Sequence, residues 1–324
     1  MMRILVTGAT GFVASSLIPI LAGRGHHVRA AVRRPGAHPA PDTVAVGDIG
    51  PETDWTGALA GIDAVVHLAA RVHQAEEEGD PAAALALHRR VNAEGTRRLA
   101  EAAAAAGARR MVLVSTIKAV TENGAEELVT DTTPPRPASP YGISKLEAEQ
   151  ALETVSARTG LEQVVIRPPL VYGPGVGANF RRLLTLCRRA PPLPLGAIRN
   201  RRSLIFVDNL AGAIALCAEH RGAPGHRFLV HDGTVLSTPD LIRAIARALG
   251  RPARLFDVPP SLLRTALNLI GRGDAFDRLA ASLELDDRAI RGTLGWQPFW
   301  SQEDALRVTA EWFNASAGPK SSAR

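Results

Sequence analysis

A chain of 324 residues, 46% hydrophobic and 22% charged, is long enough to bury a large core, and its length suggests one main domain with a smaller lobe. No stretch is apolar and uncharged for long enough to cross a bilayer, and Met1 to Ile4 lead into a strand without a leader's charged and apolar regions, so a cytoplasmic protein without a membrane span is expected. The net charge of +6 comes from arginine spread along the chain, and aromatics are only 4%, so the expected acidic partners are small phosphorylated molecules and not nucleic acid. Cys187 and Cys217 fall in apolar helical stretches and read as reduced core residues. The nine histidines lack zinc-ligand spacing, so no metal is expected.

In chain order, Arg3 to Thr7 reads as a buried strand, and Gly8 to Ala14 as the turn entering a helix. Gly8 permits a tight turn, and Gly11 lets backbone approach a pyrophosphate at the helix N-terminus, where free N–H groups attract anions. Ala14 stands at the third glycine position of this pattern. A bare strand-to-helix turn would look similar, but the place directly after an N-terminal strand and before a second one, His27 to Val32, favours dinucleotide binding.

Further strands are expected at Thr43 to Val46, Ala64 to Leu68, Met111 to Val114 and Gln163 to Ile166, with helices between them, including the alanine-rich stretch Leu99 to Ala106. Apolar runs separated by helices imply an α/β fold, a Rossmann-type doubly wound parallel sheet covered on both faces. The acidic run Glu76 to Glu78 reads as a solvated face. After Arg167-Pro168-Pro169 the sequence turns irregular and proline-rich, before a helix at Asp208 to Glu219 and a strand at Arg227 to Val230 that return to the sheet. This divides the chain into a nucleotide-binding domain over 1–168 with 204–231 returning to it, and a smaller C-terminal substrate-binding lobe over 169–203 and 232–314. The small, polar tail 315–324 is expected to be disordered.

Only two tyrosines occur, and Tyr141 lies four residues before Lys145 in Ser139-Pro-Tyr-Gly-Ile-Ser-Lys145. Ser139 suits an N-cap and Pro140 the first helical position, so Tyr141 and Lys145 share one helix face, where the ammonium can lower the phenol's pKa and make it a usable acid/base. Lysine occurs only at 118, 145 and 320.

Thr7-Gly-Ala-Thr-Gly-Phe12, Gly47-Asp48, His67-Leu-Ala-Ala70, Asn92, Ser115-Thr116 and Tyr141-Gly-Ile-Ser-Lys145 together resemble the extended short-chain dehydrogenase/reductases, in particular the NAD-dependent epimerase/dehydratase family acting on nucleotide sugars. The likeness runs from Arg3 to about Leu306. It implies Tyr141 as the acid/base, Lys145 as its electrostatic partner and ribose ligand, and Thr116 as the hydroxyl that orients the substrate oxygen. It further implies a cofactor site of Gly8, Thr10, Gly11, Phe12, Val13, Asp48, Ile49, Leu68, Ala69, Ala70 and Asn92 with Tyr141 and Lys145, Asp48 reaching adenine and Asn92 supporting the active-site helix and a relay water. Asn179 and Arg202 match the family's diphosphate ligands on a UDP-sugar substrate, and a planar guanidinium fork suits that contact. A homodimer is compatible with the likeness. A later Arg/Asp pair, Arg272 and Asp274, departs from the family spacing and is left unassigned.

Two departures narrow the activity. The family's dehydratases follow the threonine with Asp-Glu, whereas Thr116 is followed here by Ile117 and Lys118, so dehydration is not expected and Lys118 is placed near the sugar or nicotinamide. The second strand ends Val32-Arg33-Arg34, where a guanidinium favours a ribose 2'-phosphate, so NADP(H) is the favoured cofactor with NAD(H) as the alternative. The resemblance then implies reduction of a UDP-4-keto-6-deoxy-N-acetylhexosamine in surface polysaccharide biosynthesis, as in bacterial ketoreductases that form UDP-N-acetylquinovosamine. The alternatives are a UDP-glucose or UDP-N-acetylglucosamine 4-epimerase and a cofactor-binding sensor or assembly factor without chemistry.

Overall fold

The computed structural model describes residues 1–72, 80–122, 124–125, 127–269, 271 and 273–316. The acidic run at Glu76 to Glu78, Arg272, and residues 317–324 of the tail lie outside the described residues.

The first half alternates strands and helices: β1 (Arg3–Thr7), α1 (Phe12–Gly23), β2 (His27–Val32), β3 (Thr43–Ala45), α2 (Thr56–Leu59), β4 (Ala64–His67), α3 (Pro81–His88), α4 (Gly95–Ala105), β5 (Arg110–Val114), α5 (Pro140–Thr159) and β6 (Glu162–Arg167). The second half holds β7 (Leu170–Tyr172), α6 (Ala178–Arg189), β8 (Arg202–Phe206), α7 (Val207–Glu219), β9 (Arg227–Leu229), β10 (Val235–Leu236), α8 (Thr238–Ala248), α9 (Pro260–Leu269), α10 (Gly273–Ala280), α11 (Arg288–Leu294) and α12 (Gln302–Ser316).

Seven strands form one parallel sheet in the order β3-β2-β1-β4-β5-β6-β9. The order reverses at β1, and ligands of such sheets bind beyond the carboxyl ends of the strands at that point. Strand periodicity distributes the core. Ile4 and Val6 join Leu17, Leu21, Leu210 and Ile214 on the face covered by α1 and α7, whereas Leu5, Val65 and Leu113 meet Leu99, Ala103, Leu152 and Val155 of α4 and α5 on the other. Alanine at 100, 103 and 148 keeps that second helix layer close to the sheet.

A separate three-stranded sheet, β10-β8-β7, and helices α6, α8 and α12 surround a third apolar cluster that includes Tyr172, Phe180, Phe206, Ile245 and Phe313. The segment from 204 therefore serves both sheets: β8 pairs with β7 and β10, while α7 and β9 pack on or extend the parallel sheet. Against this cluster Asp232 is a buried hub that accepts hydrogen bonds from the Tyr172 phenol at 2.8 Å, the Asn209 amide at 2.8 Å and the Phe206 N–H at 2.9 Å. Cys187 and Cys217 are buried and unbridged. Among the described residues no helix is long and apolar enough to cross a membrane.

Candidate active site

The turn after β1 is built for close approach. Gly8 has φ +65°, and a Cβ there would lie 2.8 Å from the Ala69 nitrogen, so any side chain would be both strained and driven into the backbone after β4. Gly11 N–H donates to the Gly8 carbonyl at 2.9 Å and serves as the N-cap of α1 without a side-chain cap, which leaves the first N–H groups of a twelve-residue helix available to an anion. Thr10 is exposed at this mouth, while Phe12 and Val13 are half-buried. This cradle, bordered by Leu68, Ala69 and Ala70, fits the pyrophosphate of a dinucleotide.

Just beyond the end of β2, Arg33 Nε and Asp48 Oδ1 are 2.8 Å apart, both side chains largely exposed. Two residues that the sequence assigns to different parts of a cofactor are thus bonded to each other. Asp48, on the loop after β3, thus sets a carboxylate against the Arg33 guanidinium, where it opposes a ribose 2'-phosphate. Ile49 is half-buried, its side chain against the start of α4 where Gly95 has no Cβ to displace it.

The helix α5 begins where the sequence places it, with Ser139 as N-cap accepting from the Gly142 N–H and Pro140 in the first turn. Tyr141 is half-buried, and the Thr116 hydroxyl lies on the side of its phenol, where it favours the ionised form. Thr116 caps a short 3-10 turn, Ile117–Ala119, by accepting from the Lys118 N–H, so its own hydroxyl hydrogen is free to point at the phenol oxygen. Lys145 is buried, and its ammonium donates to the Val114 carbonyl at 2.9 Å.

The electrostatics differ from the sequence expectation. Burial first, and then the Glu122 carboxylate, push the Tyr141 phenol up to about 12 against the opposing hydrogen bond of Thr116, so Lys145 does not lower the phenol here. Burial brings Lys145 down to about 8, with Glu149 pulling the other way. His67, wholly buried at the end of β4, is held neutral at about 3 by burial and by the nearby Lys145 ammonium.

Asn92 sits in a π-helical turn, Arg89–Glu94, between α3 and α4. Its amide nitrogen donates to Ser144 Oγ at 2.9 Å and to the Arg71 carbonyl at 3.0 Å, and its oxygen accepts from the Arg71 N–H at 2.8 Å, which ties α5 to the chain after β4. The ammonium of Lys118 pairs with Glu122. Asn179 is exposed in the first turn of α6. Arg202 opens β8 with its guanidinium largely enclosed, and burial lowers it from the usual arginine value. The two halves meet at the nucleotide turn, where a Cβ on Gly175 would lie 3.5 Å from the Phe12 ring.

Three groups escaped the sequence reading. Glu149 accepts from Ser115 and from Arg167 in a buried network one helical turn beyond Lys145. Glu122 faces Tyr141 from a loop, and His88 of α3 meets the Tyr141 ring edge-on at 6.1 Å between centroids. Glu149 had a signal, since Lys145 and Glu149 repeat the spacing of Tyr141 and Lys145. Glu122 and His88 had none. Among the described residues no group of three or more His, Cys, Asp or Glu is placed to hold a metal ion.

Residues 4–230 match the profile of the NAD dependent epimerase/dehydratase family. A UDP-glucose 4-epimerase of Vibrio cholerae is 38% identical over 318 residues, covering 96% of this chain and 95% of the relative. A 3-diazoavenalumate denitrifying reductase of a Streptomyces species is 34% identical, covering 92% and 96%. Among solved structures, MoeE5 in complex with UDP-glucuronic acid and NAD superposes with a TM-score of 0.75 at 28% identity, covering 97% of this chain and 99% of that one. Together with the parallel sheet, the glycine turn and the Tyr141–Lys145 helix, these likenesses place the chain in the NAD-dependent epimerase/dehydratase family of the short-chain dehydrogenase/reductases.

Proposed function

We propose that the protein is a nicotinamide-dependent enzyme that oxidises and reduces a UDP-hexose at C4, acting as a 4-epimerase. The observation that carries this reading is Tyr141 and buried Lys145 on one face of α5 with the Thr116 hydroxyl acting on the phenol, at the carboxyl edge of a sheet whose first turn is shaped for a dinucleotide. The relative of 38% identity bears the same activity in its name. A bound nicotinamide supplies acceptance and return of hydride at the sugar carbon.

Tyr141 takes the proton of the C4 hydroxyl as that carbon is oxidised to the ketone, and returns it to the alkoxide when the carbon is reduced from the opposite face. Thr116 holds the same oxygen throughout. Lys145, held by the Val114 carbonyl, binds the ribose, while the Gly8 to Val13 turn and Leu68 to Ala70 hold the dinucleotide. Arg202 and Asn179, from the lobe of residues 169–203 and 232–314, hold the diphosphate of the sugar nucleotide.

Arg33 supports a second reading, net reduction of a UDP-4-keto-6-deoxy-N-acetylhexosamine with NADPH, because a guanidinium at the end of β2 can hold a 2'-phosphate once it leaves Asp48. Incubation of purified protein with UDP-glucose, UDP-N-acetylglucosamine and UDP-4-keto-6-deoxy-N-acetylglucosamine separates the two. Isomer formation without net cofactor oxidation is the expected result, and stoichiometric NADPH loss assigns the reductase. No turnover of any of the three overturns the reading and leaves a cofactor-binding sensor, whereas unchanged turnover by Tyr141→Phe overturns the assignment of Tyr141 as the acid/base.

A further inference from the structure

The turn that carries Thr116 and the helix that carries Tyr141 are held together by a charged bridge. Glu122 Oε1 accepts from the Lys118 ammonium, and Glu122 Oε2 accepts from the Ser139 hydroxyl at 2.5 Å and its N–H at 3.4 Å. Lys118 belongs to the Thr116 turn, and Ser139 is the N-cap of α5. The Glu122 side chain is only 16% exposed, against 47% for Lys118. A second contact brings the same two elements to van der Waals limits: a Cβ on Gly142 would lie 2.5 Å from the Lys118 carbonyl oxygen.

We propose that Lys118, Glu122 and Ser139 form a positioning clamp that sets the meeting of Thr116 with Tyr141, and that the clamp's balance of charge sets the pH range over which Tyr141 transfers its proton. This deepens the proposed function, since it concerns the same proton transfer. It also gives Lys118 a role through Glu122 rather than on the sugar. Three groups face Tyr141 from the elements around it, Glu122 and Thr116 from the 3-10 turn and its continuation and His88 from α3, while Lys145, one turn along its own helix, has its ammonium on the Val114 carbonyl. Glu149, farther along α5, is neutralised by Arg167 of β6, and His67 of β4 is uncharged. Glu122 is thus the carboxylate that acts on the phenol, and Lys118 is the cation that offsets it.

Two substitutions break the same ion pair with opposite charge. Glu122→Gln removes the negative charge that disfavours phenolate, whereas Lys118→Met leaves that charge uncompensated. The limb of the turnover profile that belongs to Tyr141 is identified as the one lost in Tyr141→Phe. It should move to lower pH in Glu122→Gln and to higher pH in Lys118→Met, each by about half a unit, an approximately threefold change in rate on the limb. Ser139→Ala should lower turnover without moving the limb, because no charge changes. Circular dichroism confirms that each variant is folded.

Shifts of Glu122→Gln and Lys118→Met in the same direction, or none in either, overturn the proposal, since a purely structural bridge loses the same contact in both. A direct readout separates this failure from failure of the assigned reaction. Tyr172 is the other tyrosine, and burial with Asp232 beside it keeps its phenol protonated, so the near-ultraviolet phenolate band reports Tyr141 alone. If the wild-type protein turns over no UDP-sugar, the function falls, and the phenolate midpoint still decides the clamp: lower in Glu122→Gln supports it, unchanged or higher overturns it.

Discussion

Glu149 and Arg167 form a buried ion pair, with Arg167 Nη2 donating to Glu149 Oε2 at 2.6 Å and the side chains only 1% and 4% exposed. The pair joins α5 to the last residue of β6, and Ser115 completes it from the end of β5. Removing one member of such a pair leaves the other charge buried alone, which costs about 3–5 kcal/mol. Glu149→Ala should therefore lower the unfolding free energy measured in urea by that amount, whereas Glu149→Gln, which keeps an acceptor for Ser115, should lose less. Equal and small losses in both would show that the network contributes little.

Lys145 is a charged group only on the acid side of its depressed pKa. With the folded value at about 8 and the ordinary value at 10.5, the ammonium is present below about 8 and lost as pH rises through it. Cofactor affinity, followed by calorimetry, should fall as pH rises through about 8, and Lys145→Arg, which keeps its charge, should lack that inflexion. Between about 8 and 10.5 the unfolded chain holds a proton that the folded chain has released, so this residue makes stability rise with pH across that window.

The exposed Arg33–Asp48 pair predicts cofactor preference. Arg33→Ala should weaken NADPH binding by about tenfold while leaving NADH nearly unchanged. Asp48→Asn, which frees the guanidinium and removes the repelling carboxylate, should strengthen NADPH relative to NADH. Paired titrations of both cofactors against both variants check this, and a loss of NADH affinity alone in Arg33→Ala would reverse the assignment.

Gly142 lies in α5, where alanine normally favours the helix by about 1 kcal/mol. Its close contact with the Lys118 carbonyl means that Gly142→Ala must push the Thr116 turn away from Tyr141. Turnover should fall by roughly 10²-fold with little change in KM, because displacement at the reacting atoms costs rate rather than binding, and the thermal midpoint should fall too, because the added methyl meets backbone. A folded variant with wild-type kcat would show that the turn can yield without cost.

The glycine turn, the strand and helix rhythm and the Tyr141 helix were legible in the chain because each depends on neighbours in sequence. A left-handed φ needs Gly8, Ser139 caps α5, and residues four apart share a helical face. The same local logic placed β1 and β2 at their observed ends. Tertiary structure alone decided which charges meet. Arg33 finds Asp48 because β2 and β3 are neighbours in the sheet, Glu122 reaches Ser139 because a loop returns to the start of α5, and Glu149 meets Arg167 where α5 packs on β6. Sequence identifies the phenol and the ammonium, but their proton affinities follow from burial and from partners distant in the chain, since desolvation and Coulomb interactions depend on separation in space.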